Sequence, residues 1–280
     1  MMLENALKLL KELTSHNYKA YIVGGFVRDY LLGIESQDID VATNATPKEI
    51  KEVFNDSFLP TEDYGSVVVN KYGIRFEITT FRKEINYQDH RRPVEIEYID
   101  DLYQDLLRRD FTINAICIDD EGEVIDFLGG RDDLNRKLIR TIGDADERLS
   151  EDALRMLRAI RFATVLDFQL DGEVVQAIRN HRHLLKELSY QRKKEELDKI
   201  FTSGYARQGI KLLLEFHLDR VLELENLSKV ENTDSVVGIW SVLDVDSIYP
   251  FSNNEKEIME NIRKVMPLNN LDPMALYKYG

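Results

Sequence analysis

Gly24-Gly25-Phe26-Val27-Arg28-Asp29, followed by Asp38-Ile39-Asp40, decides how this chain is read. Tyr21-Ile22-Val23 before it reads as a short buried strand that ends on the glycine pair. The pair makes a tight turn that opens a short helix over Val27 to Leu32, and Gly33 sits where a helix C-terminus favours glycine. Asp38 to Ala42 reads as the next strand. Side chains alternate faces along a strand, so Asp38 and Asp40 point the same way. Two carboxylates on one face, beside a glycine turn and the Arg28 guanidinium, suit a divalent metal holding a triphosphate. An Asp-x-Asp pair alone is more often a solvated loop; the glycine turn and the arginine give it a chemical meaning.

The bounds agree with a globular protein. At 280 residues with 43% apolar side chains, the chain can form two domains and bury a sizeable core. No apolar run reaches membrane-spanning length, and the charged N-terminal Met-Met-Leu-Glu-Asn-Ala-Leu-Lys reads as an amphipathic helix rather than a signal peptide. Cys117 is the only cysteine, which excludes an intrachain disulfide and a cysteine zinc site, and the five histidines form no ligand cluster. His181 and His183 read as exposed helix positions. A reduced, cytoplasmic setting follows. The net charge of −14 argues against indiscriminate nucleic-acid binding. A local basic segment at Arg179, Arg182, Lys186, Arg192, Lys193, Lys194 and Lys199 could still form a phosphate track or a set of solvated helix faces.

Further elements follow from pattern. Residues 3–14 read as a helix. Thr46-Pro47-Lys48-Glu49 supplies an N-cap, a proline at the first helical position and a glutamate at the third. Ser66 to Asn70 and Ile74 to Phe81 read as strands about a Tyr72-Gly73 turn, with Phe76, Ile78 and Thr80 on one face and Arg75, Glu77 and Thr79 on the other. Glu95 to Ile99 is another strand candidate; Asp101 to about Asn114 reads as mostly helical, Ala115 to Ile118 and Val124-Ile125-Asp126 as strands. From about Ser150, helical periodicity takes over nearly to the end.

Several motifs carry chemistry. Glu77 is a third carboxylate on a polar strand face. In Arg108-Arg109-Asp110-Phe111-Thr112-Ile113-Asn114-Ala115, Asp110 can accept from a ribose 2′-OH and Arg109 offers a planar fork of donors. Ile125-Asp126-Phe127-Leu128-Gly129-Gly130-Arg131 suggests a glycine bend or hinge. Glu151-Asp152-x-x-Arg155 puts a carboxylate and a guanidinium three residues apart, neighbours on a helix. Such a pair matches the hydrogen-bonding edge of cytosine or adenine and rejects uracil and guanine. Arg158 and Arg161 continue the ridge.

These motifs, with Leu31-Leu32-Gly33 between the first two, resemble the family of tRNA CCA-adding enzymes and bacterial poly(A) polymerases, in its class II, bacterial form. The likeness covers residues 20–200. It implies an α+β fold, a nucleotidyltransferase head with a five-stranded mixed sheet (1–149), a helical neck with a base-template motif (150–205) and a helical body with a short or truncated tail (206–280). It implies Asp38 and Asp40 as metal ligands for Mg²⁺, with Glu77 completing the catalytic triad. Gly24, Gly25, Arg28, Arg109, Asp110, Asn114, Asp152, Arg155, Arg158 and Arg161 are then the nucleotide-binding residues. The implied substrates are CTP and ATP and the partner is the tRNA 3′ end. Tyr87-Gln88-Asp89-His90-Arg91-Arg92-Pro93 resembles the family's flexible loop, of which Asp89, Arg91 and Arg92 are the charged members. Leu188-Ser189-Tyr190-Gln191-Arg192 resembles the neck motif, with Gln191 where a glutamate is common. Poly(A) polymerase and A-only addition are the alternatives within the family; a catalytically idle RNA-binding protein is the alternative outside it, opposed by the full carboxylate set. A dinucleotide-binding fold is excluded because Gly-x-Gly-x-x-Gly spacing is missing. The sequence does not set an oligomeric state.

Overall fold

Leu9, Leu10 and Leu13 fall on one helical face, and α1 (Met2–Ser15) buries all three with Ala6. In this computed structural model the chain divides into two compact units, Met1–Arg148 and Leu149–Gly280. Residues 2–36, 38–54, 57–61, 65–88, 92–230 and 235–265 are described, with backbone alone at 57–61, 85–88 and 92–95.

The first unit is organised by a sheet. Its strands are β1 (Ala20–Val23), β2 (Ile39–Thr43), β3 (Ser57–Thr61), β4 (Ser66–Lys71) and β5 (Ile74–Thr80). β6 (Arg82–Gln88) and β7 (Arg92–Tyr98) form a separate antiparallel hairpin, and β8 (Cys117–Ile118) and β9 (Val124–Ile125) return to the main sheet. The order β3-β4-β5-β2-β1-β8-β9 makes seven strands where five were expected. β8 and β9, expected from the sequence as Ala115 to Ile118 and Val124 to Asp126, are two residues each, and β3 has no counterpart among the expected strands.

All neighbours are antiparallel except β2 and β5. That parallel pair aligns Ile39 with Phe76, Asp40 with Glu77 and Val41 with Ile78. The four apolar residues are buried, so the pleat sends Asp40 and Glu77 together to the opposite face. On the face that Asp40 shares with Ala42 and with its partner Val23, the residues Val23, Ala42, Phe81, Leu102, Leu106, Ala115, Cys117 and Ile142 form one core cluster. Burial pushes the Cys117 thiol up to about 12, so it acts as an apolar filler.

The connecting helices follow their capping signals. α2 (Gly25–Leu32) ends on Gly33 at φ 71°, whose N–H donates to Asp29 and Tyr30 carbonyls. α3 (Pro47–Val53) carries the full capping box between Thr46 and Glu49. The helix expected from Asp101 to Asn114 is broken. α4 (Leu102–Leu107), capped by Asp101, stops before Arg109, and only a 3-10 turn, Thr112–Asn114, follows. Phe111 bridges to Thr141, Thr112 N–H donates to the Arg140 carbonyl at 3.0 Å and Ile142 N–H to the Asp110 carbonyl at 3.2 Å. Pairing with 140–142 overrides the local helical preference.

Gly129-Gly130 is a packed joint rather than an open bend. Asp126 accepts N–H bonds from Leu128, Gly130 and Arg131 at 3.2, 3.0 and 2.9 Å, fixing the start of α5 (Gly130–Arg136). A Cβ on Gly130 would stand 2.3 Å from the Thr112 carbonyl oxygen.

α6 (Ala145–Glu151) leads into the second unit, which is helical apart from the two-residue strand Gln169–Leu170. α7 (Leu154–Val165), α8 (Gly172–His181), α9 (Tyr190–Thr202), α10 (Ala206–Glu215), α11 (Leu218–Val221), α12 (Val236–Leu243) and α13 (Asn253–Val265) follow. α7 and α9 bury Leu157, Ile160, Leu197, Ile200 and Phe201. Gly209 lets α10 approach both, since a Cβ there would meet Ile200 at 2.4 Å and Thr164 at 2.8 Å. Trp240 of α12 packs edge-on against Phe201 at 5.3 Å and donates to Asp198 at 2.7 Å.

Gly130→Ala forces a side chain into backbone and should destabilise the protein by about 1–3 kcal/mol, the range for overpacking. Gly172→Ala, where nothing lies within 4 Å, should stay within about 0.5 kcal/mol of wild type. Urea unfolding of both variants makes the comparison; equal midpoints would remove the close approach from the account.

Candidate active site

The glycine turn works by being bare. Gly24 holds φ 76° and ψ −141°, a conformation that belongs to glycine. A Cβ there would stand 3.1 Å from Asp40 Oδ2 and 3.8 Å from Arg109 Nη1. The turn, Asp40 and Arg109 therefore share one small space, with Gly25 starting α2 beside it. Asp38 is exposed immediately before β2, Asp40 is half-buried on β2 and Glu77 is exposed beside it in register on β5. Burial, and then the negative charge of Glu77, push Asp40 up to about 6; Arg109 opposes the shift and Asp38 adds to it. Three like charges are thus gathered with only partial compensation.

Arg109 is held from behind. Its Nη2 donates to Asp105 Oδ2 at 3.1 Å, while Arg108 Nε donates to Asp105 Oδ1 at 2.8 Å. Asp105 is wholly buried. Burial works to raise its pKa, but Arg109 and Arg108 outweigh that and hold it below the ordinary carboxylate value. Arg109 Nε is buried with no hydrogen-bond partner among the described residues. An orphaned guanidinium donor beside a glycine turn suits an anionic ligand.

Arg28 is buried and paired. It is 8% exposed, donates Nη1 to Asn114 Oδ1 at 2.8 Å and pairs with Asp29 at 2.7 Å. Asn114 Nδ2 in turn donates to Asp110 Oδ1 at 3.0 Å, which also accepts Phe111 N–H at 2.8 Å. Arg28, Asn114 and Asp110 form one chain that fixes the Asp110 carboxylate.

The second unit holds the other named residues. Asp152 lies in the break between α6 and α7, where its carboxylate accepts Leu154 N–H at 3.0 Å. It is a start signal for α7, whereas sequence spacing placed it within a continuous helix. Arg155 is 4% exposed, with Nη1 3.3 Å from Glu151 Oε2. Arg158 and Arg161 follow on α7, their guanidinium carbons 5.4 and 4.2 Å from the Phe162 ring centre. Arg161 Nε lies 3.0 Å from Glu196 Oε2, so helical drift has turned it toward α9 rather than solvent. The basic segment is not a continuous track. Lys193 is 2% exposed, its ammonium 4.4 Å from the Tyr190 ring centre, and Lys194 pairs with Asp198 at 2.8 Å. His181 is half-buried rather than exposed. Asp89 and Arg91, and the side chain of Arg92, lie outside the described residues. Sequence reasoning missed Asp105; its three- and four-residue spacing to Arg108 and Arg109 was the available signal.

Comparison with known proteins agrees with this geometry. Residues 20–140 match the poly A polymerase head domain, and residues 167–226 match the probable RNA and SrmB-binding site of polymerase A. The crystal structure of the Bacillus stearothermophilus CCA-adding enzyme in complex with CTP superposes with a TM-score of 0.88 at 31% identity, over 99% of this chain and 74% of that one. The chain belongs to the CCA-adding enzyme family. The Thermotoga maritima CCA-adding enzyme complexed with tRNA_CCA matches with a TM-score of 0.71 at 25% identity, over 95% of this chain and 70% of that one. The CCA-adding enzyme of Bacillus pumilus is 46% identical over 231 residues, which is 82% of this chain and 57% of that relative's length.

Divalent metal is general to nucleotide transfer in the CCA-adding family. Among the described residues, no three histidine, cysteine or carboxylate side chains form a preformed cage. The raised pKa of Asp40 marks a half-buried carboxyl crowded by Glu77 and Asp38, which a bound cation would relieve. The donor set fits.

The Asp40 shift also has a stability consequence. A carboxyl whose folded pKa is about 6 against 3.8 penalises the native state as pH rises through that interval. Asp40→Asn removes the penalty. In metal-free buffer it should melt above wild type at pH 7.5, by on the order of 2 kcal/mol, and match wild type near pH 4. A variant less stable than wild type at pH 7.5 would contradict the repulsion.

Proposed function

We propose that this chain adds C and A to the 3′ end of tRNA, from CTP and ATP with release of pyrophosphate, without a nucleic-acid template. The observation that carries the reading is the β2–β5 register, which sets Glu77 beside Asp40 at the bare Gly24 turn with Arg109 alongside. The CCA-adding family to which the chain belongs supports the choice of product. The functional division is a head to residue 149, a neck to 205 and a body beyond, working in the cytoplasm, where tRNA would be met.

Asp38 and Asp40 would hold Mg²⁺, with Glu77 assisting. The metal supplies Lewis-acid stabilisation of charge on the reacting phosphate and the leaving pyrophosphate. Gly24 and Gly25 let the triphosphate approach the backbone. Arg109 donates to its oxygens. Asp110, steadied by Asn114 and Arg28, accepts from the ribose 2′-OH, which favours a ribonucleotide. Asp152 and Arg155 choose the base, with Glu151 holding the Arg155 guanidinium in plane. Arg158 and Arg161 serve the phosphates, Arg161 after sharing its charge with Glu196. The polar loop Asp89, Arg91 and Arg92 resets the pocket between C and A.

Transcripts of tRNA ending at the discriminator, after C or after CC, incubated with CTP, ATP or both, test this directly. Two C additions with CTP and one terminal A on the CC end are expected. Long A tracts on any RNA would make the chain a poly(A) polymerase, A addition without C addition an A-only enzyme, and no incorporation an idle RNA-binding protein.

Arg155→Ala leaves Asp152 with half of the base pattern. An unpaired polar edge costs about 1–3 kcal/mol, so UTP or GTP misincorporation relative to CTP should rise by roughly one to two decades. Unchanged discrimination with a uniform loss of rate would move Arg155 from the base to the phosphates.

A further inference from the structure

We infer that Asp105 is a positioning residue for nucleotide binding, acting through Arg109 and tied to the root of the β6–β7 hairpin. The inference rests on the nucleotide-addition reading above. Asp105 is a wholly buried carboxylate on α4 that accepts from three directions. Arg108 Nε stands at 2.8 Å, Arg109 Nη2 at 3.1 Å and the backbone N–H of Arg82, the first residue of β6, at 3.1 Å. Glu84, two residues along β6, accepts from the Arg82 guanidinium at 3.0 Å and from Arg108 at 3.4 Å. One carboxylate thus joins the start of the hairpin to the guanidinium that reaches the Gly24 turn.

The electrostatics make this joint stiff. Both guanidinium partners keep Asp105 ionised despite its burial. A buried charge that loses a partner is costly, so Arg109 cannot swing away from Asp105 without leaving that charge undercompensated. The two edges of Arg109 are divided accordingly. Nη2 is anchored on Asp105, Nη1 lies 3.8 Å from the Cβ position of Gly24, and Nε is buried without a partner. Nε is thereby left as a donor beside the turn. The arrangement is that of an anchor on one edge and a ligand donor on the other. Because Arg82 N–H shares the same carboxylate, the position of the hairpin root and the aim of Arg109 are set together.

The test is a double-mutant cycle on CTP affinity, measured at equilibrium with Ca²⁺ in place of Mg²⁺ so that no turnover is needed. Asp105→Asn should weaken CTP binding by about tenfold or more, the scale of a misaligned charge-assisted hydrogen bond. Arg109→Ala should do the same, and the double variant should bind within about twofold of Arg109→Ala alone, because Asp105 acts only through Arg109. A purely structural Asp105 gives losses that multiply, or a lowered melting temperature with CTP affinity within about twofold of wild type; either result overturns the inference. If Asp105→Asn fails to fold, Asp105→Glu keeps the charge and displaces it by one methylene, and the same cycle is run with it. Wild-type protein that binds CTP but extends no tRNA overturns the addition reading alone, and the cycle still decides Asp105. Wild-type protein that binds no CTP overturns both.

Discussion

Two carboxylates placed side by side on parallel strands, Asp40 on β2 and Glu77 on β5, are the constraint around which the first unit is arranged. Their repulsion, added to the half-burial of Asp40, is unfavourable and would be relieved by a bound cation. The core packs Ile39, Val41, Phe76 and Ile78 on the far face and so dictates which face the acids take. Gly24 keeps the space above Asp40 open, and Asp105 keeps Arg109 at its edge. A site with stored repulsion lowers stability, and the capping box of α3 and the packed joint at Gly130 offset that cost elsewhere in the unit.

Much of this was legible in the sequence because short-range rules govern it. The pairing of alternation with burial along β2 follows from its apolar pattern, the Gly33 cap from positive φ, and the α3 start from three adjacent residue types. The strands expected at Ala115 to Ile118 and Val124 to Asp126 are found, shortened, as β8 and β9, whereas the strand Ser57–Thr61 was not legible and is held by its pairing with β4. The break after Leu107 was hidden for the same reason. Phe111 and Thr112 leave the helix because residues 140–142, some thirty positions on, supply better hydrogen bonds than the next turn would. The burial of Arg28 against Asn114 was not legible, because local pattern does not connect two residues 86 positions apart.

The second unit teaches a related lesson about helical spacing. Asp152 and Arg155 are three apart, yet Asp152 stands outside α7 and caps its start. Charge spacing identified the residues but not the helix boundary between them. The burial of Lys193 and the pairing of Lys194 with Asp198 reduce the basic segment to a few outward positions. In this chain of net charge −14, arginines such as Arg109 and Arg161 stand beside neighbouring carboxylates, Asp105 and Glu196.

The central claim is that Asp38, Asp40 and Glu77 form a cation site completed by the nucleotide. Counting bound Mn²⁺ by electron paramagnetic resonance, with and without CTP, addresses it most directly. The account predicts Mn²⁺ binding that strengthens sharply when CTP is present, is lost in Asp38→Ala and Asp40→Ala, and is weakened in Glu77→Gln. CTP-dependent Mn²⁺ binding that is unchanged in all three variants would contradict it.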